Sequence, residues 1–221
     1  MTMLRRRIMM KEKSILPIGY TQCKYLKNNG IQYINTKVYP SSKTKIYARW
    51  SISSVDGSQY IFGSRDTKTN TITIALSGSI SGSTFYCVYK GKTTDISSQI
   101  QRNNTDIFCG YVDGNGTSAL CCLKNENDGT KIESTISSNT ETVNDSPLYL
   151  FAFNKSNVQK GCKIYESKIW DHGELMFNGI PALDLNGVPC MYDTVSKKPY
   201  YNTGTGEFGY ELMDGTYVAP I

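Results

Sequence analysis

The chain has 221 residues, enough for one large domain with a sizeable core. Its formal net charge of +5 is concentrated at one end, where Arg5, Arg6, Arg7, Lys11 and Lys13 stand against Glu12. The rest of the chain is close to neutral, which argues against a nucleic-acid-binding domain, and no apolar run is long enough to span a membrane.

Residues 1–14 read as a basic N-terminal arm. A secretory signal is not expected, because Ile8, Met9 and Met10 give way at once to Lys11, Glu12 and Lys13. LRRRIMMKEK has no helix breaker and allows a short helix. Three readings of the arm stand: a solvated charge run, a tether in which Leu4, Ile8 and Met9 dock on a partner while Arg5, Arg6, Arg7 and Lys11 meet its acidic groups, or, least favoured, a contact with nucleic acid. Residues 15–221 show no internal linker and are taken as one domain.

Nineteen Gly, sixteen Tyr and many Thr, Ser and Asn favour strands and turns over helices. Leu16-Pro17-Ile18-Gly19-Tyr20 opens the domain as a turn. Residues 23–39 predict two short strands around Asn29-Gly30, in the manner of a hairpin. Residues 44–54 alternate most cleanly, with Ile46, Ala48, Trp50 and Ile52 on one face and Tyr47, Arg49 and Ser51 on the other. The first set is expected in the core, so Trp50 is read as packing and not as a sugar platform.

Strands are also expected at 59–65, 70–77 and 84–90, the last bulky on both faces and hence interior. Gly78–Ser83 reads as a turn. Residues 106–112 and 118–124 flank a hairpin turn at Asp113-Gly114-Asn115-Gly116. Residues 131–137 predict a more polar strand of outer-face character, 138–146 a loop, and 148–154 (LYLFAFN) a core strand. Residues 162–170 and 174–177 predict a hairpin turning at Asp171-His172-Gly173. MFNGIPALDLNG reads as a bridge to a closing hairpin rich in Gly and Thr. About a dozen short strands of this kind predict an all-β antiparallel sandwich or jelly roll.

The seven Cys follow no disulfide or zinc spacing and are read as free, mostly buried thiols of a reducing compartment. The sole His, His172, sits in a turn, where a catalytic base would lack an orienting group and a nucleophile. Glu133 and Glu166 have no second carboxylate in the spacing a glycosidase strand needs. No enzyme activity is expected. GSISGS and NTGTGEFG lack the strand–loop–helix and lysine context of a phosphate loop. No cofactor is expected, with calcium at Asp56, Asp66, Asp113, Asn115 or Asp128 as the alternative to plain turn capping. Tyr60, Tyr111, Tyr200 and Tyr201 lie near turns and are candidate glycan contacts.

Several stretches, in order, carry a resemblance. They are Leu16–Leu26 (LPIGYTQCKYL) with Gly30–Thr36 (GIQYINT), then Ile61–Arg65 (IFGSR), Leu150–Phe153 (LFAF), and Lys163–Tyr165 with Lys168–Asp171. The closing stretches are Gly187-Val188, Met191-Tyr192-Asp193 and Lys198–Phe208 (KPYYNTGTGEF). Together they resemble the concanavalin-like or laminin-G-like domain proteins of phages and prophages of gut bacteria, whose opening has the form LP-x-GYTQLEYI…GTQYIDTG. The resemblance covers roughly 16–208, with MFNGIPALDLNG replacing a more charged segment. It implies a concanavalin-like sandwich and a virion protein of head or tail, made in the host cytoplasm. Its partners would be other virion proteins in a symmetric assembly. A lectin-like domain attaching to host-surface glycans is the alternative. A bacterial surface protein is a third reading, disfavoured by the lack of an export signal.

Overall fold

The computed structural model describes residues 15–52, 58–65, 72–79, 84–95, 105–138, 145–155, 157–158 and 160–221. The arm residues Leu4, Arg5, Arg6, Arg7, Ile8 and Lys11 lie outside the described residues, as do Asp56, Asp66, most of the turn expected at 78–83 and most of the loop expected at 138–146.

Among the described residues there are strands and no helix. In chain order the strands are β1 (Thr21–Asn29), β2 (Ile34–Asn35), β3 (Thr44–Ile52), β4 (Ser58–Arg65), β5 (Ile72–Ser79), β6 (Thr84–Tyr89) and β7 (Lys92–Asp95). They continue as β8 (Phe108–Gly114), β9 (Ser118–Asn125), β10 (Lys131–Ser137), β11 (Tyr149–Leu150), β12 (Ala152–Asn154) and β13 (Asn157–Val158). The last are β14 (Lys160–Asp171), β15 (Glu174–Leu183), β16 (Pro189–Asp193), β17 (Lys198–Tyr201), β18 (Gly209–Leu212) and β19 (Tyr217–Val218). The larger sheet runs β10-β9-β8-β3-β14-β1-β15-β16-β17, with β18 and β19 continuing from β1. The smaller runs β2-β11-β4-β5-β6-β7, and β12 and β13 form a separate ribbon.

The alternation of β3 does what its sequence predicts. Ile46, Ala48 and Trp50 are buried, while Tyr47 and Arg49 lie on the outer face. The sheets meet through aromatic rings: Trp50 of β3 packs edge-on against Phe85 of β6 at 5.7 Å, and Phe85 packs on Phe108 of β8 at 4.9 Å. Burial of each such side chain contributes about 1.5–3 kcal/mol, and each edge-to-face pair adds roughly 0.5–1.5 kcal/mol. β6 is interior, between β5 and β7, and its Phe85, Cys87, Val88 and Tyr89 are all buried. The polar β10 is the outermost strand of the larger sheet.

Three expectations need correction. Asn29-Gly30 does not close a hairpin: β1 belongs to the larger sheet and β2 to the smaller, so the chain crosses the sandwich there. The crossing is held by side chains that satisfy buried backbone groups. Asn28 Nδ2 donates to the Gln32 carbonyl at 3.2 Å, and Asn28 Oδ1 accepts from the Cys162 amide at 3.1 Å. Second, LYLFAFN is buried throughout but is broken at Phe151, whose φ of 65° leaves the strand region. The break lets β11 pair with β2 and β4 while β12 turns to β13. Third, MFNGIPAL is not a bridge but the continuation of β15, where Ile180 and Pro181 pair with Tyr192 and Met191 of β16.

The β14–β15 hairpin turns as expected. Asp171 pairs with Glu174 across the two-residue turn His172-Gly173, whose φ values of 50° and 83° suit the right-handed twist of the flanking strands.

Candidate functional site

The outer face of the larger sheet carries alternating aromatic and charged side chains. Lys45 pairs with Asp113 at 2.8 Å and lies 4.5 Å over the Tyr111 ring, and the Tyr111 hydroxyl donates to Glu133 at 3.1 Å. Arg49 holds Glu126 through Nε and a terminal nitrogen, each at 2.8 Å from Oε2, and stacks 4.9 Å over Tyr165. Lys24 pairs with Glu211 at 2.7 Å, and Lys168 with Glu166. These ion pairs neutralise Lys24, Lys45, Arg49 and Lys168 within the face.

The four candidate tyrosines do not converge. Tyr111 is covered by Lys45 and bonded to Glu133. Tyr60 stands edge-on against Phe153, which also carries the Arg65 guanidinium. Tyr200 packs on Phe177 at 5.3 Å. The Tyr201 hydroxyl donates to Asp184 at 2.8 Å, and burial together with that carboxylate pushes the phenol up. Asp184 is itself held low, first by the Val188 amide. Each ring is tied into the local structure.

The described calcium candidates are turn caps and ion-pair members. Asp113 holds Lys45. Asn115 Oδ1 accepts from the Ser118 amide at 3.1 Å and its hydroxyl at 2.8 Å, and Asp128 accepts from the Thr130 amide at 2.8 Å. No group of three or more His, Cys, Asp or Glu gathers closely enough to hold a metal among the described residues. His172 is exposed and its Nδ1 lies 3.1 Å from Asp171. Ser41 and Thr44 donate to the same carboxylate. All seven Cys are free, and six are buried.

The residues that do converge lie at the edge of the smaller sheet. Asn35 of β2 pairs with Tyr149 of β11. Beyond it the chain is strapped to residue 148: the Thr36 hydroxyl donates to the Leu148 carbonyl at 2.8 Å, and the Leu148 amide to the Val38 carbonyl at 2.8 Å. The Asn35 Oδ1 accepts from the Lys37 amide at 2.8 Å, supporting Lys37 at its φ of 60°. This strapping carries Tyr39 out to the rim, 58% exposed, just before the buried Pro40.

An open cleft of about 380 Å³ results, lined by Asn35, Tyr39, Asp145, Ser146, Pro147, Tyr149 and Lys155. Its floor is rigid. Tyr149 is buried and packs edge-on against Tyr33 at 5.8 Å, and Ser146 accepts from the Ser64 hydroxyl at 2.8 Å. Burial pushes the Tyr149 phenol up, against the opposing effect of a hydrogen bond with Ser146. An exposed aromatic face, an amide, a carboxylate and an ammonium thus share one concavity, a set suited to a small polar ligand with an apolar face. Sequence reasoning passed over Tyr39. The available signal was an aromatic residue directly before the Pro40-Ser41-Ser42 turn.

A second cleft, of about 370 Å³, is lined by Gln22, Cys23, Lys24, Arg49, Tyr165 and Met213. Its two cations are already held by Glu211 and Glu126, and burial pushes the Cys23 thiol up to about 12.

No protein-family model and no curated protein matches the chain. By structure it is similar to a native heptameric SAP-like pentraxin from Limulus polyphemus, at 8% identity and TM-score 0.50 over 71% of this chain and 76% of the pentraxin. A candidate carbohydrate-binding protein from Bacteroides ovatus aligns at 11% identity and TM-score 0.56 over 90% of this chain and 62% of its own length. The CBM40 of a Ruminococcus gnavus IT-sialidase, bound to α2,3-sialyllactose, aligns at 11% identity and TM-score 0.50 over 72% of this chain and 92% of the module. The fold is a concanavalin-like jelly roll. At these identities the likeness is one of architecture.

Proposed function

We propose that the chain is a non-catalytic, sugar-binding β-sandwich displayed on a phage virion, with the cleft at Tyr39 as its glycan site. The observation that carries the sugar-binding reading is the exposed Tyr39 ring at the rim of a cleft shared by Asn35, Asp145 and Lys155. A sugar's apolar face stacks on such a ring while its hydroxyls exchange hydrogen bonds with amide, carboxylate and ammonium groups. The same architecture holds sialyllactose in the Ruminococcus module, so the scaffold suits the task.

The virion setting is supported by the resemblance of the opening and closing stretches to phage proteins. In this reading residues 1–14 tether the sandwich to a neighbouring subunit, Leu4 and Ile8 against apolar surface and Arg5–Arg7 against acidic groups.

A glycan array probed with the full chain and with Tyr39→Ala tests the sugar-binding half. Saccharide binding by the wild type and its loss in the variant are expected, and a wild type that binds no saccharide would refute it. Deletion of residues 1–13 tests the virion half. A folded variant that still enters particles as well as the wild type would refute the tether.

A further inference from the structure

Resting on that reading, we infer that the saccharide taken by the Tyr39 cleft carries a carboxylate, seated by the Lys155 ammonium. The argument is a surplus of donors. Asn35 has its Oδ1 committed to the Lys37 amide, so its side chain offers the NH₂ donors to a ligand. The Lys155 ammonium brings three donors and no acceptor. Of the oxygens in the lining, the Ser146 carbonyl already accepts from Ser64, and the Asp145 carboxylate already has an interaction of its own. A lining rich in donors fits a ligand rich in acceptors, and a carboxylate is the strongest acceptor a sugar carries.

Charge points the same way. On the outer face of the larger sheet Lys24, Lys45, Arg49, Lys131 and Lys168 each have a carboxylate partner. Lys155, like Lys27, Lys124 and Lys163 of the larger sheet, has no ion pair among the described residues, and of these four it is the one that lines the cleft. Asp145 is the opposing charge in the same lining. The ligand's acid group is therefore assigned to Lys155.

The test is calorimetry on the full chain with charge-matched pairs: oligogalacturonate against its methyl ester, and sialyllactose against lactose. The acidic member of a pair is expected to bind roughly two- to fivefold tighter, the range of a partly exposed ion pair, and the advantage should shrink as salt is raised. Lys155→Gln should bring the acid-to-neutral ratio to about one, and Lys155→Arg should retain it. If the wild type binds both members of each pair equally, the acid assignment is wrong and the sugar site stands. If it binds neither acidic nor neutral saccharides while melting as a folded protein, the sugar site itself is wrong and the acid assignment falls with it.

Discussion

The side chain of Gln32 holds the far end of the chain, its Nε2 donating to the carbonyl of Ile221 at 2.8 Å. The same nitrogen donates to the Glu207 carbonyl at 3.1 Å, and Oε1 accepts from the Asn29 amide at 2.9 Å. Glycines make room for the contact. A Cβ on Gly204 would come within 1.9 Å of the Ile31 carbonyl oxygen, and one on Gly206, at φ 68°, within 1.9 Å of the Ile221 carbonyl oxygen. The opening stretch GIQYINT and the closing stretch NTGTGEF are thus one contact surface, further joined by the Thr203 amide donating to the Tyr33 carbonyl at 2.8 Å.

Replacing Gln32 with Ala would leave that junction without its bridging donors. The expected cost is about 1–3 kcal/mol, the range for unsatisfied buried polar groups. Urea unfolding measures it, with hydrogen exchange at Glu207 and Ile221 rising in the variant. A change within about 0.5 kcal/mol would place the junction among neutral surface sites.

Gly110 lies under the Trp50 ring. A Cβ there would stand 2.7 Å from the Cys122 carbonyl oxygen and 3.0 Å from the indole. The carbonyl belongs to the strand ladder and cannot swing aside, so Gly110→Ala is expected to destabilise by about 1–3 kcal/mol through overpacking. A lowered melting temperature in calorimetry checks this, and an unchanged one would show that the two strands part more easily than their pairing implies.

Tyr39 should separate binding from stability. Because its ring is at the rim, Tyr39→Ala is expected to alter stability by no more than about 0.5 kcal/mol while abolishing saccharide binding. Trp50→Ala should do the reverse to stability, costing about 3–5 kcal/mol. Paired melting curves and binding isotherms for the two variants decide the matter.

Asp171 gives acid sensitivity. Burial raises its pKa, but hydrogen bonds from Ser41, Thr44 and His172 outweigh it and hold the carboxyl below the usual aspartate range. A depressed pKa contributes stability above the unfolded value, near 4, and loses it as pH falls through the folded value. Melting temperature followed downward from pH 6 should therefore drop through and below about pH 4, with a shallower slope in Asp171→Asn. Equal slopes would show that other carboxylates, such as Glu211 beside Lys24 and Tyr25, carry the effect.

The thiols should be inert in the folded protein. Burial pushes Cys190, like Cys23, up to about 12 and raises Cys87 and Cys162 further from reactivity. Cys109 is the half-buried exception, and its thiol is raised as well. Aromatic-disulfide titration at pH 8 is expected to modify at most Cys109, slowly, and all seven in guanidinium. Rapid reaction of two or more native thiols would contradict this packing.

Much of the architecture was legible locally. The alternation of β3, the core role of Trp50, the two-residue turn at His172-Gly173 and the polar, largely exposed character of β10 all follow from side-chain period and turn chemistry. The crossing at Asn29-Gly30 was not legible, because the same dipeptide serves a hairpin when its flanking strands share a sheet. The break at Phe151 was hidden too, since LYLFAFN is apolar throughout and its pattern has no gap. At the site, Tyr60, Tyr111, Tyr200 and Tyr201, expected near turns or loops, lie in strands β4, β8 and β17, and Phe153, Lys45, Phe177 and Asp184 respectively pack on or bond to them.

By itself, the sequence determined an all-β sandwich, its main inward faces and most of its turns, because alternation and turn preference act between neighbours along the chain. The tertiary structure alone decided which strands share a sheet, that Gln32 meets Ile221, and that the exposed Tyr39 shares a cleft with Asn35 and Lys155. Those outcomes depend on what distant segments cover or leave bare, and coverage is a property of packing that no local pattern encodes.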